Sequence, residues 1–401
     1  MEATIKEKIR TLAQKNLPHV TRMRHHLHAH PELSFQEHAT CGFIMQELES
    51  MGIGFEKGVG HETAVVATIE GLNPSKKTIA LRADMDALPI KELNDVPYRS
   101  AYPGVMHACG HDVHTACLLG VAAIFSEMRE NFEGTLRLVF QPGEEKIPGG
   151  ASLMIKGGVL ENPVPSAIIG QHVMPGILAG KVGFRKGMYM ASADEIYVKV
   201  KGKGGHAAMP SQNIDPVLIA SHIVVALQQV VSRMARPDVP TVLSFGKVIA
   251  NGATNVIPDE VNMEGTFRTF SESWREEAHR KMKSLAESIA EGMGGSCEFN
   301  IVRGYPYLVN DVPLTERLRH CAEEYLGKEN IEDLDLWMAA EDFAFYSHHV
   351  PACFYRLGVR NEDKGIVSSV HTPTFNIDES ALETGTGLMA WLAWNELNLA
   401  Q

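Results

Sequence analysis

The sequence predicts an α/β fold: a main domain built on a mostly parallel mixed sheet flanked by helices, with a ferredoxin-like (βαββαβ) α+β domain inserted into it. Three observations carry this reading. Apolar strand-like runs alternate with helical stretches through the first part of the chain. Near residue 190 the pattern turns to two-residue alternation, and it returns to helix and strand after residue 306. A chain of 401 residues is also too long for one ordinary core, which points to two domains.

A polar helix opens the chain and a second follows around 39–51. TAVVATIEG and KKTIALRADMDALPI read as buried strands, apolar and ending in polar residues. From 111 to 130 a helix is expected, because Leu118, Val121, Ala122, Phe125 and Met128 recur at helical spacing. GTLRLVF (134–140) and SAIIGQHV (166–173) are further strands, the latter expected to end at His172. In the insert, DEIYVKVKG alternates as a strand. Asp215-Pro216 caps and starts a helix with Val217, Ala220, Val224, Leu227, Val231 and Met234 at three-to-four spacing. TVLSFGKVI (241–249), EVNMEGTFRTF, a helix capped by Ser271 and closed by Gly292, and CEFNIV (297–302) complete β-α-β-β-α-β. The boundaries this gives are 1–187 plus 307–401 for the main domain and 188–306 for the insert.

Composition narrows the function. A net charge of −12 argues against nucleic acid, whose binders need a basic face. The six cysteines are scattered without framework spacing, so free thiols in a reducing compartment are expected. MEATIKEKIRTLAQK mixes both charges and does not read as a signal peptide, and no uninterrupted run of about 18 apolar residues appears. These features together predict a cytoplasmic protein with no membrane partner.

In parallel α/β sheets, ligands gather at the carboxyl ends of strands. There the sequence places Asp84 and Asp86, Glu144 and Glu145 in QPGEE, and His172. MHACGHDVH (106–114) opens a helix, and VHTPTF sets His371 in a loop. Cysteine, histidine and glutamate from separate elements form a set of borderline ligands suited to Zn²⁺, Mn²⁺ or a similar ion. Each residue alone has a plainer reading: a packed histidine, a solvated glutamate pair, a reduced cysteine beside a surface histidine. A thiol nucleophile, Cys109 with His107 or His111 as base, is a rival of another class. A non-catalytic binding protein is a third. The histidine-rich MRHHLHAHPEL reads as structural, because no acidic or thiol partner joins its histidines at a strand end.

RADMDALPI, MHACGHDVHTA, FQPGEE, QHV, GKGGHAAMP, GATNVIPDEVNMEGTFRT and VHTPTF, with HAHPELSFQE before them, resemble the hippurate hydrolase / indoleacetyl-amino acid amidohydrolase branch of the aminoacylase–carboxypeptidase dinuclear metallohydrolases. The motifs keep the family's order and span nearly the whole chain. The resemblance implies two divalent ions per subunit (Zn²⁺ or Mn²⁺, with Co²⁺ or Ni²⁺ possible), held by Cys109, His111, Glu145, His172 and His371, with the Cys109 thiolate bridging. Glu144 would be the general acid/base. Asp84 and Asp86 stand where the wider superfamily keeps a metal-binding histidine and its orienting aspartate. Asp86 is counted with the catalytic residues, and Asp84, like His107 and His114, is left beside the ligands.

The residues of the insert acquire roles only through the resemblance. His206, otherwise a loop histidine, would support the oxyanion, often in the partner subunit's site. Asn255 and Arg268 would grip a substrate carboxylate, for which a planar guanidinium is apt. Glu341 falls in a segment that matches a family stretch near the active site and receives no role. The main domain would be catalytic, and the insert a lid and dimerisation domain in a homodimer. The implied activity is metal-dependent hydrolysis of the amide of N-acyl-amino acids. A dipeptidase or carboxypeptidase of the same machinery is the alternative.

Overall fold

The computed structural model describes residues 2–399. The chain forms two compact units. The first runs from the N-terminus to Tyr189 and resumes at Val309–Asp335 and from Asp342 onward; the second is Met190–Leu308 with Leu336–Glu341. The second unit thus takes in a short segment beyond the 188–306 expected from sequence.

In the first unit the elements are α1 (Glu2–Ala29), α2 (His38–Ser50), β1 (Gly54–Lys57), β2 (Val65–Glu70), β3 (Thr78–Asp84), α3 (His111–Glu127), β4 (Thr135–Gln141), α4 (Gly150–Lys156), β5 (Ala167–Leu178) and β6 (Val182–Phe184). Short β7 (Gly187–Met190) marks where the chain leaves this unit. The second unit contains β8 (Asp194–Lys201), β9 (Gly205–His206), α5 (Pro216–Gln229), β10 (Thr241–Ile249), β11 (Val256–Ile257), β12 (Glu260–Thr269), α6 (Glu272–Gly292) and β13 (Ser296–Arg303). After β14 (Leu308–Asn310) come α7 (Val312–Leu326), β15 (Ile331–Asp333), α8 (Ala344–Ser347), β16 (Ala352–Arg360) and α9 (Ser380–Asn398).

The first unit's sheet has eight strands in the order β1-β2-β4-β3-β5-β16-β6-β15. Its centre, β4-β3-β5-β16, is parallel, while β1 and β2 join antiparallel at one side. Every residue of β3 and of β4 is buried, as parallel strands covered by helices on both faces must be. Helix α3 departs from expectation. Its apolar stripe predicted one buried face, yet His111 through Ala122 are buried without a break, because α1 and α9 pack around it. Strand β5 also departs: it does not stop at His172 but stays paired with β16 as far as Leu178 opposite Arg360, so His172 sits inside the strand, opposite Arg356.

The second unit is the expected βαββαβ. Its antiparallel sheet has the order β10-β12-β8-β13, with α5 and α6 on the core. Asp215 caps α5 by accepting from the Val217 and Leu218 amides, and Ser271 caps α6 by accepting from Trp274. The stretch Pro216–Met234 has a mean hydropathy of 1.5, enough by length and composition to cross a bilayer. Ser221, His222, Gln228 and Gln229 interrupt it, so it is not one continuous apolar run. Here Ile219, Ala220, Ile223, Leu227 and Val230 pack on the unit's own sheet, while Val217, Leu218 and Val225 of α5 are exposed.

Candidate metal centre

The site is built on the carboxyl ends of the central strands. β3 delivers Asp84 and, two residues on, Asp86. Gly110, at φ +82°, turns the chain from Cys109 into α3; a Cβ there would lie 2.6 Å from Val173 Cγ2, so only glycine serves. After β4 the PGEE turn passes through Gly143 at φ +60°, against the Phe35 ring. The Asp86 carboxylate organises this turn. It accepts from the amides of Glu144 (3.1 Å) and Glu145 (3.0 Å), from Ser34 Oγ (2.6 Å) and from His111 Nδ1 (3.2 Å). His371 arrives on its loop at φ +61°, with its amide donating to the Ala108 carbonyl at 2.7 Å.

These pieces bring all five expected ligands together. Donor atoms of Cys109, His111 and His172 lie within 4.8 Å of one another, as do those of Cys109, Glu145 and His371 and those of His111, Glu144 and Glu145. Cys109 Sγ is 3.4 Å from His172 Nε2, and His371 Nε2 is 3.1 Å from Glu145 Oε1. His111 and His172 are oriented as ligands are, one nitrogen tied down and the other presented. His172 gives Nδ1–H to the Val173 carbonyl (2.8 Å), and His111 gives Nδ1–H to Asp86. His111 Nε2 is buried with no hydrogen-bond partner.

Electrostatics agree with a cation site. Burial, then Glu145, Glu144 and Asp84, push the Cys109 thiol well above its usual range. Burial alone would lower His111, but Asp84 and Asp86 push its pKa up to about 10. With protons as the only cations, the cluster keeps a thiol and an imidazolium; divalent ions among these carboxylates would displace both protons. The same shifts disfavour a thiol nucleophile, since Cys109 is held protonated and His111 is no base.

Three residues left open by the sequence are placed. His114 donates from Nδ1 to Asp84 (2.6 Å) and accepts at Nε2 from the Val173 amide (2.9 Å), so although it lies near Asp84 and His111 it has no nitrogen to offer an ion. Asp84 is engaged by Arg82 (2.6 Å) as well as His114. Neither nitrogen of buried His107 has a hydrogen-bond partner, and burial lowers its pKa to about 4, so it is neutral. The N-terminal histidines stay out of the centre: His28 sits between Asp112 (2.8 Å) and Glu92 (3.1 Å).

Sequence reasoning missed the support beneath the centre. Arg82, buried in β3, donates to Asp84, to Asp342 (2.7 Å) and to Gln141 (2.9 Å). Asp342 also accepts from Gln141 Nε2 and from the Ala151 amide (2.9 Å), and its own amide approaches Glu144 Oε1 at 3.4 Å. One guanidinium therefore braces both the Asp84–His114–Val173 side, next to His172, and the Glu144 side. A charged residue inside the apolar run TIALRAD was the available signal. Glu37 was missed as well. Its carboxylate accepts from the amides of Phe35 and Gly143 (2.8 Å each) and from Thr63 Oγ1 (3.0 Å).

Burial, with Asp86 next, raises Glu37 to a pKa of about 7 from an ordinary 4.5. A raised carboxyl favours the folded state most below its unfolded pKa, and that contribution disappears as pH rises through the folded value. Glu37→Gln should therefore stabilise the protein at pH 8 by about 2–3 kcal/mol, with the gain vanishing toward pH 5. Urea denaturation of both proteins at the two pH values checks this; a gain equal at both would refute it.

In the second unit, His206 pairs across from Val256, and its Nδ1 accepts from the Ala208 amide at 3.1 Å. The carbonyl of Asn255 accepts from the Ala207 amide at 3.0 Å, so the two expected residues are ribbon neighbours. Arg268, on β12 opposite Val242, has no hydrogen-bond or ion-pair partner among the described residues. Glu341 is buried in this unit.

The fold and this centre define a metal-dependent hydrolase of amide bonds, and comparison with known proteins gives its family. A profile described as Peptidase family M20/M25/M40 matches residues 80–395, and the chain belongs to this family. It is 44% identical over 305 residues, 76% of this chain and 81% of the relative, to an N-acyl-L-amino acid amidohydrolase of Geobacillus stearothermophilus. To thermostable carboxypeptidase 2 of Saccharolobus solfataricus it is 37% identical, covering 93% of this chain and 94% of that one. The crystal structure of Bacillus subtilis YXEP, described as a dinuclear metal binding peptidase from the M20 family, superposes with a TM-score of 0.80 at 35% identity, covering 96% of this chain and all of that one.

Proposed function

We propose that the protein hydrolyses N-acyl-amino acids, of the acetyl or aryl-acyl kind named for the hippurate and indoleacetyl-amino acid branch, to a carboxylate and a free amino acid. The observation that carries this is the buried His111 Nε2, without a hydrogen-bond partner, grouped with Cys109, Glu145, His172 and His371 around one centre. The names of the amidohydrolase and dinuclear relatives support it.

Cys109, His111, Glu145, His172 and His371 would hold two divalent ions, Zn²⁺ or Mn²⁺ first and Co²⁺ or Ni²⁺ as alternatives. Bound there, such ions lower the pKa of water and polarise an acyl oxygen. The chain's own residues do the rest. Glu144 takes a proton from the attacking water and returns it to the leaving amine. Asp86 positions His111 and the Glu144–Glu145 turn. His206 donates to the developing oxyanion, and Asn255 and Arg268 bind the substrate carboxylate. The unpaired Arg268 supports that last role.

The exposed apolar residues of α5 and the open edge of β10 support a homodimer formed by the second unit, checked by a sedimentation mass twice 44.0 kDa. Six free cysteines support a cytoplasmic setting.

Metal analysis of the purified protein, together with product release from a panel of N-acyl-amino acids and dipeptides, tests the reading. About two ions per chain and turnover that stops with EDTA but survives iodoacetamide are expected. Turnover resistant to chelation would sink it. Faster release from dipeptides than from N-acyl-amino acids would instead favour the carboxypeptidase reading, which one relative's name supports.

A further inference from the structure

Away from the metal centre, the first unit has a cleft of about 540 Å³ where β1, β2 and β4 meet the loop after α4. Its floor holds Arg137, only 7% exposed. Nη1 of this side chain is occupied: it donates to the carbonyls of Val159 (2.7 Å) and Glu161 (3.0 Å). Nε and Nη2 have no hydrogen-bond partner among the described residues, and neither is sealed from solvent. The fixed guanidinium thus turns its Nε/Nη2 edge to the cleft, and that edge matches a carboxylate with two parallel hydrogen bonds.

The rim decides which carboxylate. Glu56, Glu70 and Glu161 line the cleft, against Arg129 as the other cation. With Arg137 this leaves one negative charge in excess, which disfavours a dianion such as phosphate. A monocarboxylate carrying an ammonium group satisfies both floor and rim. Phe55, Val66 and Val159 add an apolar wall.

We propose that this cleft binds a free α-amino acid with an apolar side chain, carboxylate on Arg137 and ammonium toward the rim glutamates. That is the class of product the proposed reaction releases, but the assignment rests on the cleft's own residues.

The test titrates metal-loaded full-length protein with L-leucine, with 4-methylpentanoate (no ammonium) and with 3-methylbutylamine (no carboxylate), by calorimetry. Two variants are compared with the unaltered chain. Arg137→Met removes the fork. Thr68→Trp fills the cleft from an exposed position on β2 directly opposite Arg137, keeps the guanidinium itself, and guards against misfolding of the first variant. Leucine should bind saturably at least tenfold more tightly than either analogue. Both variants should weaken it tenfold or more, while Thr68→Trp keeps turnover within about twofold. Leucine affinity unchanged in Thr68→Trp, or 4-methylpentanoate binding as tightly as leucine, would overturn the proposal. Turnover of N-acetyl-leucine, measured in the same samples, reads the proposed reaction separately.

Discussion

Glu144→Gln should retain its full complement of metal and lose about 10²–10⁴-fold in turnover, the range general acid–base catalysis supplies. The amide is isosteric but cannot accept a proton from water. Its neighbour Glu145 and the other four ligands are untouched, so metal content separates a lost proton shuttle from a dismantled centre. Metal analysis and kcat on the same preparation check it. Metal-replete variant protein with near-normal turnover would remove Glu144 from the mechanism, and loss of metal would place it among the ligands.

Arg82→Met should cost about 3–5 kcal/mol of stability, because Asp84 and Asp342 are fully buried and would lose their common counter-charge. Burial alone would raise the Asp84 pKa, yet Arg82, then His111 and His114, hold it well below the ordinary carboxylate range. Arg82→Lys should recover only part of the loss, since one ammonium cannot reproduce a fork that reaches Asp84, Asp342 and Gln141. Asp342→Asn combined with Arg82→Met should cost less than the sum of the single changes, because one of the substitutions removes the buried negative charge that the other deprives of its guanidinium. Urea midpoints of the unaltered protein, Arg82→Met, Arg82→Lys, Asp342→Asn and the double variant measure this. Strict additivity would show that Arg82 and Asp342 do not act as one unit.

The candidate ligand residues stood out in the sequence as unusual types at predictable places (a cysteine and histidine opening a helix, paired glutamates after a buried strand, a histidine late in another), and the family resemblance joined them into one set. The braces were not legible. Arg82 finds Asp342 260 positions away, and nothing local marks that aspartate. The histidines between 25 and 30 looked more like a metal tract than His371 did, yet His28 is consumed by two carboxylates while His371 reaches Glu145. The unbroken burial of α3 was hidden for a related reason: a helix's own periodicity does not reveal how many neighbours pack around it.

By itself the sequence determined the α/β architecture, the βαββαβ character of the insert and the residue types available for a metal centre. These depend on periodicity, turn chemistry and side-chain donors, which are properties of short stretches. Only the tertiary structure decided which histidines can serve as ligands. A ring nitrogen is available only if its own lone pair is not already taken, and a bond at the other nitrogen holds the ring in place. For His111, His114 and His172 that depends on Asp86, Asp84 and the main chain at Val173, brought there by the packing of β3, β5 and α3.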